Sequence, residues 1–394
     1  MQRPSPKLPL DICLGIVDAV AADDSEVTIA TLKACALTSS AWLPLARRHL
    51  YRNVVVWREG LIFSFLRTIA ASPKLGAFVE ILEIRFIHCD VPPWKAHYDY
   101  AFRVRNPQGS PIFILLRHAL PHFTHLHWLK FDSSYLYPCT AMLLFISQFS
   151  AVKTVTDLEI DGLVFSGYRD LVTLVNPFYQ VERLVVKRCN WTDLDIPQRL
   201  DLTRGRSLRF LEFEGNLYEY GVLELCPSTV DTLFLGPPKH EPDRLETDPD
   251  EKYEALSRYT ELEVLSLRAS LVRPGESMWS EWLEWVPEAL SHVRSMNLRS
   301  LDLPIKIYAE GAQLDGLRGL IDWTQLSRVD EILASGSFPN LCIVHVTLEV
   351  YDLEDLELWE MEKHGLVEDL LASFSKCPDL GIDVQIYAWE CPAP

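Results

Sequence analysis

One short arrangement of apolar and polar positions, apolar-x-x-apolar-x-apolar, returns along most of this chain. It reads Val79-Leu82-Ile84, Leu126-Leu129-Phe131, Val155-Leu158-Ile160, Val181-Leu184-Val186 and Leu208-Leu211-Phe213. Val230-Leu233-Leu235, Leu262-Leu265-Leu267, Val293-Met296-Leu298 and Leu341-Val344-Val346 continue it. The last three positions alternate as a half-buried strand does. The copies start 47, 29, 26, 27, 22, 32, 31 and 48 residues apart, so the two long intervals leave room for insertions or a degenerate copy. Between them, 60–73, 110–120, 139–150, 168–175, 280–293 and 367–376 carry aliphatics at three- and four-residue spacing, the period of a helix. Several of these stretches stop at Pro or Ser-Pro.

Strand, turn, helix, turn, repeated, predicts an α/β fold with parallel strands on one side and helices on the other. No single unit can cover its apolar stripe, so the units must stack. This organisation resembles the leucine-rich-repeat family in an irregular form. The resemblance implies a curved solenoid over residues 56–394, strands concave and helices convex. The Asn or Cys that usually follows the strand has partial counterparts in Cys89, Cys189, Asn190 and Asn216.

The first fifty-odd residues follow a different pattern. Leu8-Pro9, Ile12, Ile16 and Val20 place one aliphatic per turn on a helix face, and Pro9 suits a helix start. Ile29, Leu32 and Cys35 mark a second helix. Thr38-Ser39-Ser40 offers caps for a third through Trp42, Leu45 and Leu50, with Pro44 in its first turn. "NVVVW" (53–57) reads as a strand leading into the repeats. Three short helices enclose little core and need another surface to lean on.

The order Leu-Pro, Ile12, Ile16, a central Leu-x-x-Cys and Trp42, ending "AWLPLARRHLYRNVVV", resembles the F-box as it occurs in mushroom-forming fungi. Asp11 stands where family members usually carry Glu, and "LTSSAW" where many have Val-Cys-Arg before the Trp. The resemblance implies a helical F-box domain over residues 1–55 that binds a Skp-type adaptor and through it a cullin. By position, Leu8, Pro9, Ile12, Ile16, Leu32, Leu37 and Trp42 would form or support that contact. The chain would then be the substrate-recognition subunit of a ubiquitin ligase. The alternative is a repeat scaffold whose front helices only cap the stack, since terminal repeats need a cap.

Period-two geometry predicts that alternate strand residues face away from the helices. Trp128, Lys130, Arg183, Lys187, Phe210, Glu212, Phe234 and Arg268 are the candidate substrate contacts, with Ser295, Asn297, Arg299 and His345 on the same expected face. Trp128, Phe210 and Phe234 are of the type that anchors interfaces. Asp161, Lys187 and Glu214 alternate in sign from strand to strand, which reads either as an ion ladder or as substrate recognition.

Composition narrows the classes. The net charge is −18, with 7 Lys/Arg and 6 Asp/Glu in residues 1–60 and 30 against 49 beyond them. An acidic body argues against nucleic-acid binding. Residues 239–254 and 351–365 are acidic stretches expected at a solvated surface. Nine scattered cysteines without Cys-x-x-Cys, and a start interrupted by Asp11 and Asp18, suit reduced thiols in the cytoplasm or nucleus. No apolar run is long enough for a membrane span. Phosphate loops, nucleophile elbows and His-Glu-x-x-His are missing, so no enzyme activity and no cofactor are expected. His118, His122, His125 and His127 form the densest cluster of potential zinc ligands. They divide between two elements without a thiol or carboxylate to join them, and are expected to fill a turn.

Overall fold

The computed structural model describes residues 10–21, 26–57, 59–86, 111–133, 140–191, 208–214, 221–236, 253–271, 279–308, 323–351 and 356–391. It is a mixed α/β structure built on parallel strands. The chain divides into two compact units, Met1–Phe165 with Thr173–Val181, and Ser166–Val172 with Glu182–Pro394. No helix among the described residues is long and apolar enough to cross a membrane.

The first unit opens with three helices, α1 (Leu10–Ala21), α2 (Glu26–Thr38) and α3 (Leu43–Arg52). They close on a small core of Val17, Leu32, Cys35 and Ala46, flanked by Val20, Trp42, Leu45 and Leu50. The expected side-chain cap on α3 takes another form. Thr38 ends α2, its hydroxyl donating back to the Ala34 carbonyl at 2.8 Å. The Ser39 carbonyl instead receives the N–H groups of Trp42 and Leu43 at 3.1 Å each, while its hydroxyl oxygen accepts from Ala41 N at 3.2 Å. A main-chain turn thus satisfies donors that α3 leaves open.

Directly after α3, β1 (Asn53–Val56) pairs in parallel with β2 (Ile81–Arg85), followed by β3 (Trp128–Asp132) and β4 (Asp157–Asp161). The register joins equivalent positions of the repeated pattern: Val54 to Leu82, Leu82 to Leu129, Leu129 to Leu158. The expected boundary at residue 55 falls within β1, inside this unit. Phe113, Phe145, Phe149 and Phe131 pack edge to face beneath the strands, with centroids 5.6–6.0 Å apart. Gly162, at φ +68°, follows β4 where a Cβ would collide with the Ser133 carbonyl.

The second unit carries β5 (Arg183–Lys187), β6 (Phe210–Glu214), β7 (Thr232–Leu235) and β8 (Val264–Leu267), then β9 (Ser300–Tyr308), β10 (Ile343–Tyr351) and β11 (Asp383–Cys391). All pair in parallel in chain order. Leu184, Leu211, Leu233, Leu265, Leu301, Val344 and Val384 stand in one buried or partly buried row. The last three strands are nine residues long and in register throughout, against four or five for those before them.

One repeat was mis-framed by the pattern. Met296, expected inside a strand, is 59% exposed in a turn, and the strand copy is Leu298-Leu301-Leu303, displaced by five residues. Ser295 explains the early apolar start. Its fully buried hydroxyl lies 2.7 Å from the Leu262 carbonyl and 3.0 Å from that of Thr260, and accepts from Asn297 N. Ser295, Asn297 and Arg299 therefore do not share the open strand face; Ser300, Asp302 and Pro304 occupy those registers.

Candidate functional site

Two surfaces stand out, one in each unit. In the first, α1 and α2 carry more aliphatic side chains than their small core can take. Val17 is completely buried, yet Ile12 and Ile16, one turn apart, are 50% and 41% exposed. On α2, Leu32 is buried while Ile29 and Leu37 remain exposed, Leu37 at 89%. Trp42 is partly buried against the core, and His49 Nε2 lies 2.7 Å from Asp18 Oδ1, tying α3 to α1. Of the expected adaptor contacts, Ile12, Ile16 and Leu37 are thus outward, Leu32 and Trp42 support from within, and Leu8 and Pro9 lie outside the described residues.

The strands of the same unit bear Trp128 and Lys130, both half-buried. Lys130 Nζ lies 3.1 Å from Glu159 and 3.7 Å from Glu83, and Arg85 donates to Glu83 at 2.7 Å. Burial alone would lower the Lys130 pKa, but Glu159 and Glu83 outweigh it and raise it. These contacts form an ion ladder across neighbouring strands.

In the second unit the expected face is rebuilt around Glu212. Its carboxylate is buried to 3% and is met by Arg268 Nη1 at 2.6 Å, Lys187 Nζ at 2.9 Å and Arg183 Nη2 at 3.6 Å. Glu212 is therefore a structural anchor rather than an accessible contact. Lys187 and Glu214 are neighbours in register, but Lys187 forms its ion pair with Glu212. Phe210 and Phe234 are half-buried and pack on each other at 5.1 Å, with the Arg183 guanidinium over Phe210 and that of Arg268 over Phe234. Cation–π contacts of this kind hold flat groups in fixed places.

Beyond Arg268 the face opens into a cleft of about 540 Å³. β9, β10 and β11 run along it, and Ala269–Leu271 continues beside β9, pairing in parallel with Ile305–Ile307. Phe234, Ser266, Asp302 and His345 stand in one row across β7 to β10, and Lys306 and Glu349 align with Trp389 in a row further along. Tyr387 and Trp389 project from β11 with over two fifths of their surface exposed, and His345 stacks on Tyr387 at 6.1 Å. Lys306 Nζ is 3.6 Å from Glu349, whose carboxylate also accepts from the Tyr351 hydroxyl at 2.9 Å. Asp302 receives the Ser300 hydroxyl at 3.3 Å; burial raises its pKa, against the opposing pull of His345 and that hydrogen bond.

Phe234 and Arg268 were among the sequence candidates that line this cleft; Asp302, Lys306, Glu349, Tyr387 and Trp389 were not. Tyr387 and Trp389 had a readable signal, since Val384, Ile386 and Ala388 alternate with Gln385, Tyr387 and Trp389. The cluster of histidines has local uses: His125 Nδ1 donates to the Ala77 carbonyl at 2.7 Å, and His127 Nδ1 to that of His125 at 3.3 Å. Among the described residues no three His, Cys, Asp or Glu side chains gather as metal ligands would.

The parallel-strand α/β structure thus carries an apolar helical surface in its first unit and a mixed aromatic and charged cleft in its second. No family model matches the sequence, and no curated protein is significantly similar to it.

Proposed function

We propose that this chain is the substrate-recognition subunit of a Skp–cullin–F-box ubiquitin ligase. On this reading the front helices dock on a Skp-type adaptor, and the open strand face of an irregular leucine-rich-repeat solenoid holds a protein substrate. The chain performs no bond chemistry; it brings the substrate to the transferred ubiquitin. One observation carries the reading: Ile12, Ile16, Ile29 and Leu37 stay outside a helical core already filled by Val17, Leu32, Cys35 and Ala46. Exposed aliphatics beside a complete core mark a surface for another protein. The row of leucines in equivalent registers supports the repeat reading.

Co-purification with a Skp-type adaptor tests this. Ile16→Asp should abolish capture of the adaptor while the chain keeps its melting behaviour; capture unchanged by Ile16→Asp overturns the assignment.

A second reading makes the front helices a cap on a scaffold. It rests on α3 running without a break into β1, and on Arg52 donating to Glu80 at 2.8 Å beside that strand. A cap predicts that Ile16→Asp leaves every association of the chain unchanged.

A further inference from the structure

Of the charged groups in the cleft of the second unit, Asp302 differs from the rest. Arg268 is engaged by Glu212 at 2.6 Å, and Lys306 and Glu349 face each other at 3.6 Å. Asp302 has the Ser300 hydroxyl and a neighbouring His345 ring, and no Lys or Arg among the described residues stands at ion-pair distance from it. It lies half-buried on the floor, where a carboxylate without a counter-ion is costly. Of the carboxylates that line the cleft, Glu349 faces Lys306, and Asp302 is the one that no described Lys or Arg meets.

The walls fit a particular complement. Tyr387 and Trp389 stand 6.1 Å apart on the last strand, both exposed, offering ring faces to an alkyl stem and a cation. At 540 Å³ the cleft is within the size range of sites that enclose a ligand group. A chain of net charge −18 also draws basic partners toward it over distance.

We infer that this cleft receives a lysine or arginine side chain of a protein partner, its stem along Tyr387 and Trp389 and its charged head on Asp302. This rests on the reading of the strand face as a substrate surface and names the chemistry recognised there. An acidic or phosphorylated segment would instead set its charge against Asp302 and compete with Glu349 for Lys306.

The test uses the immobilised full chain and a random-peptide display library. Enriched peptides should share a Lys or Arg beside apolar residues. A synthetic copy of one, followed by fluorescence anisotropy, should lose about tenfold or more in affinity on Asp302→Asn, as expected for one charge-assisted bond. Replacing its basic residue by norleucine should cost the same, and Trp389→Ala should weaken binding several-fold. Asp302→Asn preserves shape, and an unchanged or higher melting temperature certifies its fold. Failure to enrich any peptide, enrichment without a basic residue, indifference to Asp302→Asn, or equal binding when phosphoserine replaces the basic residue each overturns the inference. Adaptor capture is scored on the same preparations. Loss of adaptor capture with intact peptide selectivity removes the ligase reading alone; the converse removes this inference alone.

Discussion

Arg268 reaches across an intervening strand to place its guanidinium 2.6 Å from the buried carboxylate of Glu212. The strand between them contributes Phe234, over whose ring the same guanidinium lies. One arginine thereby links the anchor of the strand face to the edge of the cleft. Two further cations, Lys187 and Arg183, converge on Glu212.

Removing that carboxylate should therefore act on stability before it acts on binding. Glu212→Ala leaves three like charges around a void. The cations are about a third exposed, so the loss should be smaller than for a fully buried pair, about 2–3 kcal/mol. Urea denaturation reads this directly. Glu212→Ala with an unchanged midpoint would show that the cluster is not an anchor.

Asp302 should show the opposite sign. Its pKa is raised in the folded chain, chiefly by burial, so the folded state keeps its proton to higher pH than the unfolded state does. Below the ordinary value of 3.8 both states are protonated and burial carries no charge penalty. As pH rises through that value toward the raised one, the unfolded chain ionises first and stability falls. The penalty is present in full once the pH exceeds the raised value. Asp302→Asn, which never ionises, should melt higher than the parent near pH 7, the gap closing below pH 3.8. A gap that stays constant with pH would refute this origin.

Two adjacent residues of α1 should separate surface from core. Val17→Asp puts a charge into a fully buried site and should unfold the front helices, with a loss of about 3 kcal/mol or more. Ile16→Asp, at a 41% exposed site, should change stability by about 1 kcal/mol or less. Circular dichroism melts of the two variants side by side check the contrast. Equal destabilisation would mean that Ile16 is part of the core.

The turn before β11 depends on another buried acid. Asp330, on the helix Trp323–Ala334, accepts from the N–H groups of Lys376 and Cys377 at 3.0 and 3.1 Å. Burial, with Asp330 second, pushes the Cys377 thiol up to about 12, so it remains a thiol at neutral pH. Asp330→Ala should cost about 2–4 kcal/mol by stranding two main-chain donors. It should also speed amide exchange along Asp383–Cys391, measurable by mass spectrometry; exchange confined to the turn itself would limit the acid's reach to that turn.

Much of the strand framework was legible because a period of two with leucine at fixed offsets survives changes in everything between. The pattern located seven strands directly and an eighth, Ile343–Tyr351, by its first half. It failed where an apolar residue occurs for a local reason. Val293 is buried beneath the turn that Ser295 ties down, which shifted that repeat's frame. At both ends the leading Leu or Val is replaced, by Tyr51 before Val54-Val56 and by Gly381 before Val384-Ile386, so those two strands fall outside the pattern. The cleft depends on which strands stand side by side and on which carboxylate lacks a counter-ion. Both arise from contacts between residues scores of positions apart. The identity of Glu212 as an anchor was hidden likewise, since alternation assigns a face but not a depth.

The alignment of Leu184, Leu211, Leu233, Leu265, Leu301, Val344 and Val384 restricts how such a molecule can diversify. Inserting or deleting one residue inside any of these strands would turn that layer inside out, presenting grease to water and charge to the helices. The intervals between these aligned positions, by contrast, already range from 22 to 43 residues without disturbing the stack. Novelty must therefore enter through the connectors, or through exchange of every second side chain, while the spine of leucines stays still.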